Sequence, residues 1–494
     1  MKNQNFCILI TLFAIGLAFR VLFLPFDVPI ATDSFDAFIY ASKITQEGQL
    51  PQNFNTGNTG WQYLISFFFG ISDFDKPLEL MNTQRLISSI ISGLVIFPLY
   101  VLLRRFFNEK FAFIGCILFI FEPRFLIISI LGVNYPFFIL LTLISLVAFL
   151  QNKKNFVYVT FVCIAIASLV RVESMLFIPF FSILYLIKNR NKREIFRLTS
   201  AMMVLVLILL PVSLLRIDAN EQDGLISQFI TGPTYISKHV VGNTPDENDL
   251  HYNTKENKLL DFIFLSISNF SKFFGLVLIP YFLVLCGIGL FFIFKHKKYR
   301  NIDYDKITII LFSLIIIVPS FYAYGRGISE VRYLIGLLPI FSIIATYGIY
   351  VISSRMNRKN IIPLSTIVVI IIISVIFIDL KIPDQSYEKA SYFISTEIIK
   401  RTDVVNNFEG DWHLKSAYLI NNWPNLPEAN QVGKYSIIIN KIDVDEYGNF
   451  EEFLMDSKTK KLEYVVVSNR GNMIEFEKYP FLIEEINSHD YGYN

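Results

Sequence analysis

Long apolar runs separated by short polar loops recur through the first 380 residues of the chain. A helix that crosses the hydrocarbon core of a bilayer needs about 20 mostly apolar residues. Eleven runs reach or approach that length, at residues 6–26, 86–103, 110–130, 136–150, 156–170, 174–187, 199–216, 273–294, 306–322, 332–352 and 361–380. The pattern therefore predicts a polytopic α-helical membrane protein with about eleven transmembrane helices.

Lysine and arginine clusters fall in every second loop between these runs. They are Arg104, Arg105 and Lys110; Lys153 and Lys154; Lys188, Arg190, Lys192 and Arg193; Lys295, Lys297, Lys298 and Arg300; and Arg355, Arg358 and Lys359. The positive-inside rule makes these loops cytoplasmic, so the N-terminus is predicted to be cytoplasmic. A transmembrane domain over residues 1–380 would then present outer loops at 27–85 and 217–272.

The polar segment 381–494 follows the last run and is predicted to lie outside the cytoplasm. Helical patterns at Tyr387–Arg401 and Phe450–Lys460 alternate there with β-rich runs at Tyr435–Ile442 and Glu463–Val467. This order is typical of a small α/β domain. The pattern does not indicate what that domain does.

Composition agrees with a multi-pass protein of the cell membrane: 53% of the residues are hydrophobic and only 17% are charged. The net charge of +2 does not favour a nucleic-acid partner. All four cysteines lie in apolar runs, which argues against disulfides or a cysteine metal site. The five histidines lack the spacing of a zinc hydrolase.

Two carboxylates, Asp33 and Asp36, lie one helical turn apart just beyond the first run. One interpretation is structural, with Asp33 capping a helix from Ser34 to Gln46 and Asp36 complementing its dipole. The other is functional, with a carboxylate at the membrane surface acting as a general base or holding a cation. The two are compatible, because a cap fixes the geometry that a base needs.

Four arginines fall at the outer ends of predicted spans: Arg124, Arg171, Arg326 and Arg332. Each could snorkel to the interface or pair with a nearby glutamate. Together they would suit a phosphate or pyrophosphate, which arginine binds in bidentate fashion. Arg20, inside the first run, could also reach the interface by snorkelling or serve function.

These features resemble the GT-C glycosyltransferases, over roughly the first 380 residues. The segment from Thr32-Asp33-Ser34 to Tyr40 is similar to the acidic start of their first outer loop, and Arg332-Tyr333-Leu334 to a later Arg-Tyr-Leu element. Similarly, 123–136 resembles the second outer loop and Arg171-Val172-Glu173 the turn after the fifth span. The stretch Asn53–Leu64 resembles archaeal members. Relatives include protein O-mannosyltransferases, aminoarabinose transferases and oligosaccharyltransferase catalytic subunits.

The resemblance implies inverting transfer of a hexose or pentose from a polyprenyl (dolichyl) phosphate to a lipid, glycan or protein acceptor at the outer face. It implies Asp33 as the base, with Asp36 in reserve. The implied donor-phosphate ligands are Arg171, Arg332, Arg124 and Arg326, and the implied substrate contacts are Tyr40, Trp61, Tyr333 and Glu173.

One position departs from the family pattern, because Asn134 and Tyr135 stand where relatives usually have an acidic metal ligand before the proline. This disfavours a divalent cation such as Mg²⁺ or Mn²⁺, and we expect no protein-bound metal. Two other functions stay open. One is a lipid or glycan transporter or flippase, and the other is a catalytically inactive glycan assembly factor.

Overall fold

A computed structural model describes residues 3–30, 33–51, 58–72, 76–151, 153–189, 191–220, 223–242, 258–295, 303–355, 361–381, 389, 408–409, 450–459 and 464–465. The chain divides into two compact units. The first comprises residues 1–24, 56–68 and 83–383, and the second comprises 25–55, 69–82 and 384–494.

The described part of the chain is almost entirely helical. Its helices are α1 Asn3–Leu22, α2 Asp33–Glu47, α3 Gly60–Gly70, α4 Pro77–Leu94, α5 Ile96–Leu103, α6 Glu109–Ile120, α7 Pro123–Ile130, α8 Tyr135–Leu150, α9 Phe156–Val170, α10 Phe177–Lys188, α11 Lys192–Asn220, α12 Ile226–Tyr235, α13 Lys258–Leu278, α14 Phe282–Lys295, α15 Tyr304–Gly325, α16 Leu338–Arg355, α17 Ile361–Lys381 and α18 Phe450–Thr459. Short 3-10 turns at Val172–Leu176 and Val331–Leu337 precede α10 and α16, and a π-helical turn at Ile236–Val241 follows α12.

Within these residues, seven helical segments are long and apolar enough to cross a membrane. They are Gln4–Leu22, Pro77–Leu103, Lys192–Ala219, Lys258–Leu278, Tyr304–Gly325, Val331–Arg355 and Ile361–Asp379. An eighth is the pair α6 and α7 if this pair, bent by 53°, forms one span, and α8, α9 and α14 are shorter apolar helices. The predicted polytopic helical membrane fold is confirmed, and every predicted run coincides with helix over most of its length.

The run predicted at 273–294 is the one whose interpretation changes. It belongs to two helices, because α13 already begins at Lys258 and the chain breaks before α14. Residues 266–273 of α13 meet the last turn of α15: Ser266 donates to the Phe321 carbonyl, Asn269 donates to the Tyr324 carbonyl, and Phe273 stacks on Tyr324. Thus α13 runs across the end of α15 rather than along it.

By contrast, α14 packs along α16. Small residues allow the close approach: a Cβ on Gly348 would lie 2.7 Å from the Leu285 carbonyl oxygen, and one on Gly289 would lie 2.2 Å from that of Ile344. Near the far end of α16, the Arg355 guanidinium lies 4.4 Å from the centre of the Phe292 ring. Of the span predicted at 273–294, only the part that forms α14 therefore packs along α16.

Arg20 does not snorkel to the interface. Its side chain is fully buried and donates hydrogen bonds to Ser92 Oγ (2.6 Å) and to the carbonyls of Gly16 (3.0 Å) and Ile120 (3.1 Å). Ile120 is the last residue of α6, so the guanidinium satisfies a carbonyl that the bend before α7 leaves without a helical partner. The snorkelling interpretation was wrong because the bend supplies Arg20 with internal acceptors.

The second unit contains α2, α18 and a short parallel strand pair among its described residues. Strand β1 (Phe408–Glu409) pairs with β2 (Tyr464–Val465), in the register Phe408 opposite Tyr464. Helix α18 matches the helix predicted at 450–460, and β2 falls within the run predicted at 463–467. The predicted strand at 435–442, and the predicted helix at 387–401 apart from Lys389, lie outside the described residues. The α/β domain therefore stays a prediction.

Candidate active site

A cleft opens in the first unit where α8, α9 and α15 meet the two 3-10 turns. It is lined by Tyr135, Phe138, Arg171, Glu173, Phe177, Ile315, Ile316, Pro319, Ser320, Tyr333 and Gly336. We call it the arginine cleft. One part of its wall is aliphatic and aromatic, and the other carries an ion pair and two phenols, so it suits a ligand with an apolar part and an anionic part.

Arg171 is the cationic group of this wall. It ends α9 in an extended conformation, and its Nη2 donates to Glu173 Oε1 at 2.7 Å. The guanidinium carbon lies 4.2 Å from the centre of the Tyr135 ring, a cation–π distance. Burial by itself would lower the pKa of Arg171, but the charge and hydrogen bond of Glu173, together with the Tyr135 and Tyr333 phenols, outweigh burial and the pKa is raised. Arg171 therefore stays charged.

Arg332 repeats the arrangement on the second 3-10 turn. It forms an ion pair with Glu330, with Nη2 donating to Oε1 at 3.1 Å. The charges of Arg171, Arg332, Glu173 and Glu330 all act on the Tyr333 phenol, and both arginines act on Tyr135. The motifs Arg-Val-Glu at 171–173 and Glu-Val-Arg at 330–332 thus place two ion pairs around two tyrosines.

Hydrogen bonds from distant residues hold the Arg171 turn. The Asn134 side-chain amide donates to the Val170 carbonyl at 3.2 Å, and the Val172 amide donates to Asn58 Oδ1 at 3.0 Å. Gly60 packs against the same turn, since a Cβ there would lie within 3 Å of the backbone of Leu169 and Val170. These contacts fix the backbone immediately before and immediately after Arg171.

Comparison with known proteins finds one family model and several solved structures that this chain resembles. A family model described as dolichyl-phosphate-mannose-protein mannosyltransferase matches residues 60–215. The apo oligosaccharyltransferase of Archaeoglobus fulgidus superposes with a TM-score of 0.58 at 11% identity, over 95% of this chain and 70% of that chain. ArnT from Cupriavidus metallidurans, bound to undecaprenyl phosphate, superposes with a TM-score of 0.50 at 10% identity, over 85% of both chains. These solved proteins therefore share the fold of this chain.

The similarity to these structures is one of fold. Against the Archaeoglobus enzyme in complex with Zn and sulfate, the TM-score is 0.51 at 12% identity, and this chain covers 58% of that protein's length. No curated protein sequence matches the chain. The detailed chemistry of this protein therefore has to be argued from its own residues.

The donor set does not fit a divalent cation. Asn134 directs its amide N–H, a donor, to Val170, and Tyr135 stacks on a guanidinium. Among the described residues, no group of three or more histidine, cysteine, aspartate or glutamate side chains could hold a metal ion. Divalent cations of the Mg²⁺ type take oxygen ligands, mainly carboxylates. The reaction proposed below uses no metal ion.

Trp61 supports the loop between α7 and α8. Its side chain is 1% exposed, and its indole N–H donates to the Gly132 carbonyl at 3.2 Å, which also accepts from Gln84 Nε2 at 2.8 Å. Ser88 donates to the next carbonyl, that of Val133. These contacts favour a positioning role for Trp61 over the substrate contact expected from the sequence. The loop it holds leads directly to Asn134 and Tyr135.

The four predicted phosphate ligands do not share one wall. Of the four, Arg171 lines the arginine cleft, whereas Arg124, Arg326 and Arg332 do not, although Arg332 directly precedes the lining residue Tyr333. Arg124 donates to the Ile279 carbonyl and lies 5.1 Å from the Phe377 ring centre. Arg326 lies 4.5 Å from the ring centre of Tyr235. The prediction grouped them because all four are close to span ends in the sequence, which does not specify the side of the bundle.

Asp33, Asp36 and Tyr40 belong to the second unit, on α2. Both carboxylates lie in the first turn of that helix, where its dipole favours negative charge. Asp33 is exposed, Asp36 is half-buried and Tyr40 is fully buried. The predicted helix at 34–46 thus corresponds to α2, and Asp33 is the more accessible of the two carboxylates. The burial of Tyr40 favours a packing role.

Proposed function

We propose that this protein is a glycosyltransferase of the GT-C type that moves a sugar from a polyprenyl-phosphate donor to a lipid, glycan or protein acceptor. The observation that carries the proposal is the arginine cleft, where a paired arginine on an aromatic ring faces aliphatic side chains. A polyprenyl phosphate combines the same two chemistries, an anionic headgroup and an apolar tail. The fold shared with a protein bound to undecaprenyl phosphate supports the same class of ligand.

In this proposal Arg171 and Arg332 stabilise the phosphate. The Arg171 and Arg332 side chains are 12% and 27% exposed, so each charge is shielded from most of the water. Arg171 lines the cleft, and Arg332 directly precedes Tyr333, which lines it. Each arginine would give one or more N–H groups to phosphate oxygens while its glutamate keeps it oriented. The charge on the phosphate grows as it leaves, so these contacts strengthen in the transition state.

We assign the general base to Asp33, with Asp36 in reserve. The acceptor oxygen or nitrogen attacks the anomeric carbon and the bond from that carbon to the phosphate oxygen breaks. The acceptor proton passes to the Asp33 carboxylate, and the lipid phosphate departs with the bonding electrons. A single displacement of this kind inverts the anomeric configuration.

Turnover by the arginine variants tests the phosphate assignment. The purified protein in nanodiscs is given a panel of polyprenyl-phosphate sugars, and release of polyprenyl phosphate is measured. Arg171→Lys and Arg332→Lys should each lower turnover about 100-fold, because lysine loses the bidentate contact. Arg355→Lys is the matched control, since Arg355 also lies on an aromatic ring but at the other end of α16. Equal losses in all three variants would contradict the assignment.

The base assignment has its own test in the same assay. Asp33→Asn should lower turnover by a factor of roughly 100 to 10,000, because asparagine cannot accept the proton. Asp36→Asn should have a smaller effect. Full turnover by Asp33→Asn would rule out this base. Failure of the wild type with every donor would instead favour a transporter or an inactive assembly factor.

Chelation separates a metal-free reaction from a metal-dependent one. Because the amide of Asn134 is directed to a carbonyl, we expect excess EDTA to leave turnover within about twofold. A loss that Mg²⁺ or Mn²⁺ restores would show that carboxylates assemble a cation site in the working enzyme.

A further inference from the structure

A second cleft lies in the first unit where α8 ends, α9 begins and α10 ends. It is lined by Ala148, Phe149, Gln151, Lys153, Lys154, Val157, Tyr185, Lys188 and Asn189. We call it the lysine cleft. It lies at the opposite ends of α8 and α9 from Tyr135 and Arg171, so it is separate from the arginine cleft.

The polar lining of the lysine cleft is rich in hydrogen-bond donors, and its charged groups are all positive. Three ammonium groups and two side-chain amides contribute to it, and no carboxylate lines it among the described residues. The nearby Glu194 is 3% exposed and already accepts from Lys154 (2.6 Å), Tyr185 (2.6 Å) and Arg197 (2.7 Å). Its charge is compensated within that cluster, which leaves the cleft with a positive balance.

Part of this charge is held in place before any ligand arrives. The Lys188 ammonium lies 4.8 Å from the centre of the Tyr304 ring. The Tyr304 hydroxyl donates to the Leu184 carbonyl at 3.0 Å, which fixes the ring. Glu194 likewise holds Lys154. An anion binding here would therefore order fewer side chains than at a set of mobile surface lysines.

The remaining lining is apolar. Ala148, Phe149 and Val157 lie within a turn of the ends of two apolar helices, where a bilayer core gives way to headgroups. A free phosphate would gain nothing from these side chains. A phospholipid would place its phosphate on the lysines and its glycerol and upper acyl chain on Phe149 and Val157.

We propose that the lysine cleft binds the phosphate headgroup of an anionic phospholipid. The lysine-rich ends of the spans are the ends that the positive-inside rule assigns to the cytoplasmic leaflet, where anionic lipids attract juxtamembrane lysines. The proposal does not depend on the glycosyltransferase activity, because it rests on a different cleft and needs no donor or acceptor.

Native mass spectrometry of the full-length protein tests the site directly. The protein is equilibrated with phosphatidylglycerol or phosphatidylcholine of the same acyl chains, and bound lipid is counted as a function of concentration. We expect tighter binding of phosphatidylglycerol. Lys153→Gln and Lys188→Gln should each weaken it about fivefold, the effect of one lysine near a lipid surface.

Lys110→Gln is the matched control, because the Lys110 ammonium also lies over a ring, that of Phe111 at 5.9 Å, on the same lysine-rich side but outside the cleft. It should leave phosphatidylglycerol binding unchanged. A loss as large as that of the cleft variants, or equal binding of the two lipids, would overturn the proposal. Competition by inorganic phosphate at concentrations similar to the lipid would assign the site to a free anion instead.

Discussion

Arg20 joins the first helix to the bend between α6 and α7. It donates to the Ile120 carbonyl at that bend, and it acts electrostatically on buried Glu122, whose carboxylate caps α7 by accepting from the Phe125 amide at 2.6 Å. Removing a buried charge leaves its partners desolvated without compensation. The residue is therefore structural, although its charge is the most costly one in the first span.

We predict that Arg20→Met lowers the free energy of unfolding by about 3 kcal/mol, because Ser92, the Ile120 carbonyl and Glu122 all lose a partner. Thermal unfolding of the purified protein in detergent measures the effect. Arg104→Met is the control, since its side chain is 36% exposed and its pair with Glu109 spans 3.7 Å, and it should cost under about 1 kcal/mol. Equal melting temperatures for both variants would contradict the structural role.

Gly60 is required by packing. A Cβ at this position would meet the Leu169 carbonyl carbon at 2.8 Å and the Val170 nitrogen at 2.9 Å, and backbone atoms cannot move aside as a side chain can. Gly60→Ala should therefore cost about 1 to 3 kcal/mol. Gly275→Ala, in α13, places its Cβ where no atom lies within 4 Å and should be neutral or stabilising by up to about 1 kcal/mol. If both variants unfold at the wild-type temperature, this packing constraint is absent.

At the scale of elements, α13 decides the topology of everything that follows it. It is long and apolar enough to cross a membrane, and it exposes Leu260, Ile263, Phe264 and Ile267 on one face. Its other face packs against the last turn of α15, the second 3-10 turn and the π-helical turn, and Phe274 lies 5.6 Å from the ring of Phe341 in α16. A helix with one apolar exposed face that crosses the ends of spans is suited to lie in the membrane interface.

This arrangement predicts that Ser237, before α13, and Asp303, after α14, lie on opposite sides of the membrane. One crossing separates them if only α14 spans, and two crossings if α13 spans as well. Ser237→Cys and Asp303→Cys are made in a Cys7→Ser background, because Cys7 is exposed and the other three cysteines are buried. Labelling of oriented vesicles with an impermeant maleimide should modify one variant and spare the other.

Lys110→Cys provides the reference for sidedness in that experiment. Arg105, five residues before Lys110, pairs with Asp305 at 2.6 Å, so these loops share one end of the bundle. Lys110→Cys and Asp303→Cys should react from the same side. Reaction of Ser237→Cys from that side too would show that α13 crosses the bilayer.

At the scale of the whole molecule, the second unit combines distant parts of the sequence. Residues 25–55 and 69–82 cluster with 384–494, and Lys389 pairs with Asp27 at 2.7 Å. Helix α2, which carries Asp33, thus belongs to a compact unit together with the C-terminal segment. The positions of the candidate base and of the C-terminal segment are coupled through that unit.

Deleting residues 384–494 should therefore loosen α2. Hydrogen exchange followed by mass spectrometry should show amide exchange in Asp33–Glu47 about tenfold faster or more, because the unit loses most of its chain. Exchange in Tyr135–Leu150, within the first unit, should stay within about twofold. Unchanged protection of α2 in the truncated protein would show that the helix is stable without the C-terminal segment.

Much of this fold could be predicted from the sequence because crossing a bilayer is a local requirement. Each predicted run is by itself apolar over enough residues to form all or most of a span. Lysines and arginines mark the loops at alternate ends of these spans. The exception, the run at 273–294, had the right composition but was divided by a break at 279–281 and extended towards Lys258. Hydropathy measures how apolar a helix is and not the direction in which it runs.

By itself, the sequence determined that this is a polytopic helical membrane protein with arginines at span ends. Only the tertiary structure decided that Arg171 lines a cleft with Tyr135 and Tyr333 while Arg124 and Arg326 contact other groups. Only the tertiary structure, likewise, decided that the Arg20 guanidinium donates inside the protein, to the Ile120 carbonyl at the bend. The physical reason is that apolar length belongs to one segment, whereas the partners of a charged group are supplied by segments far away in the chain.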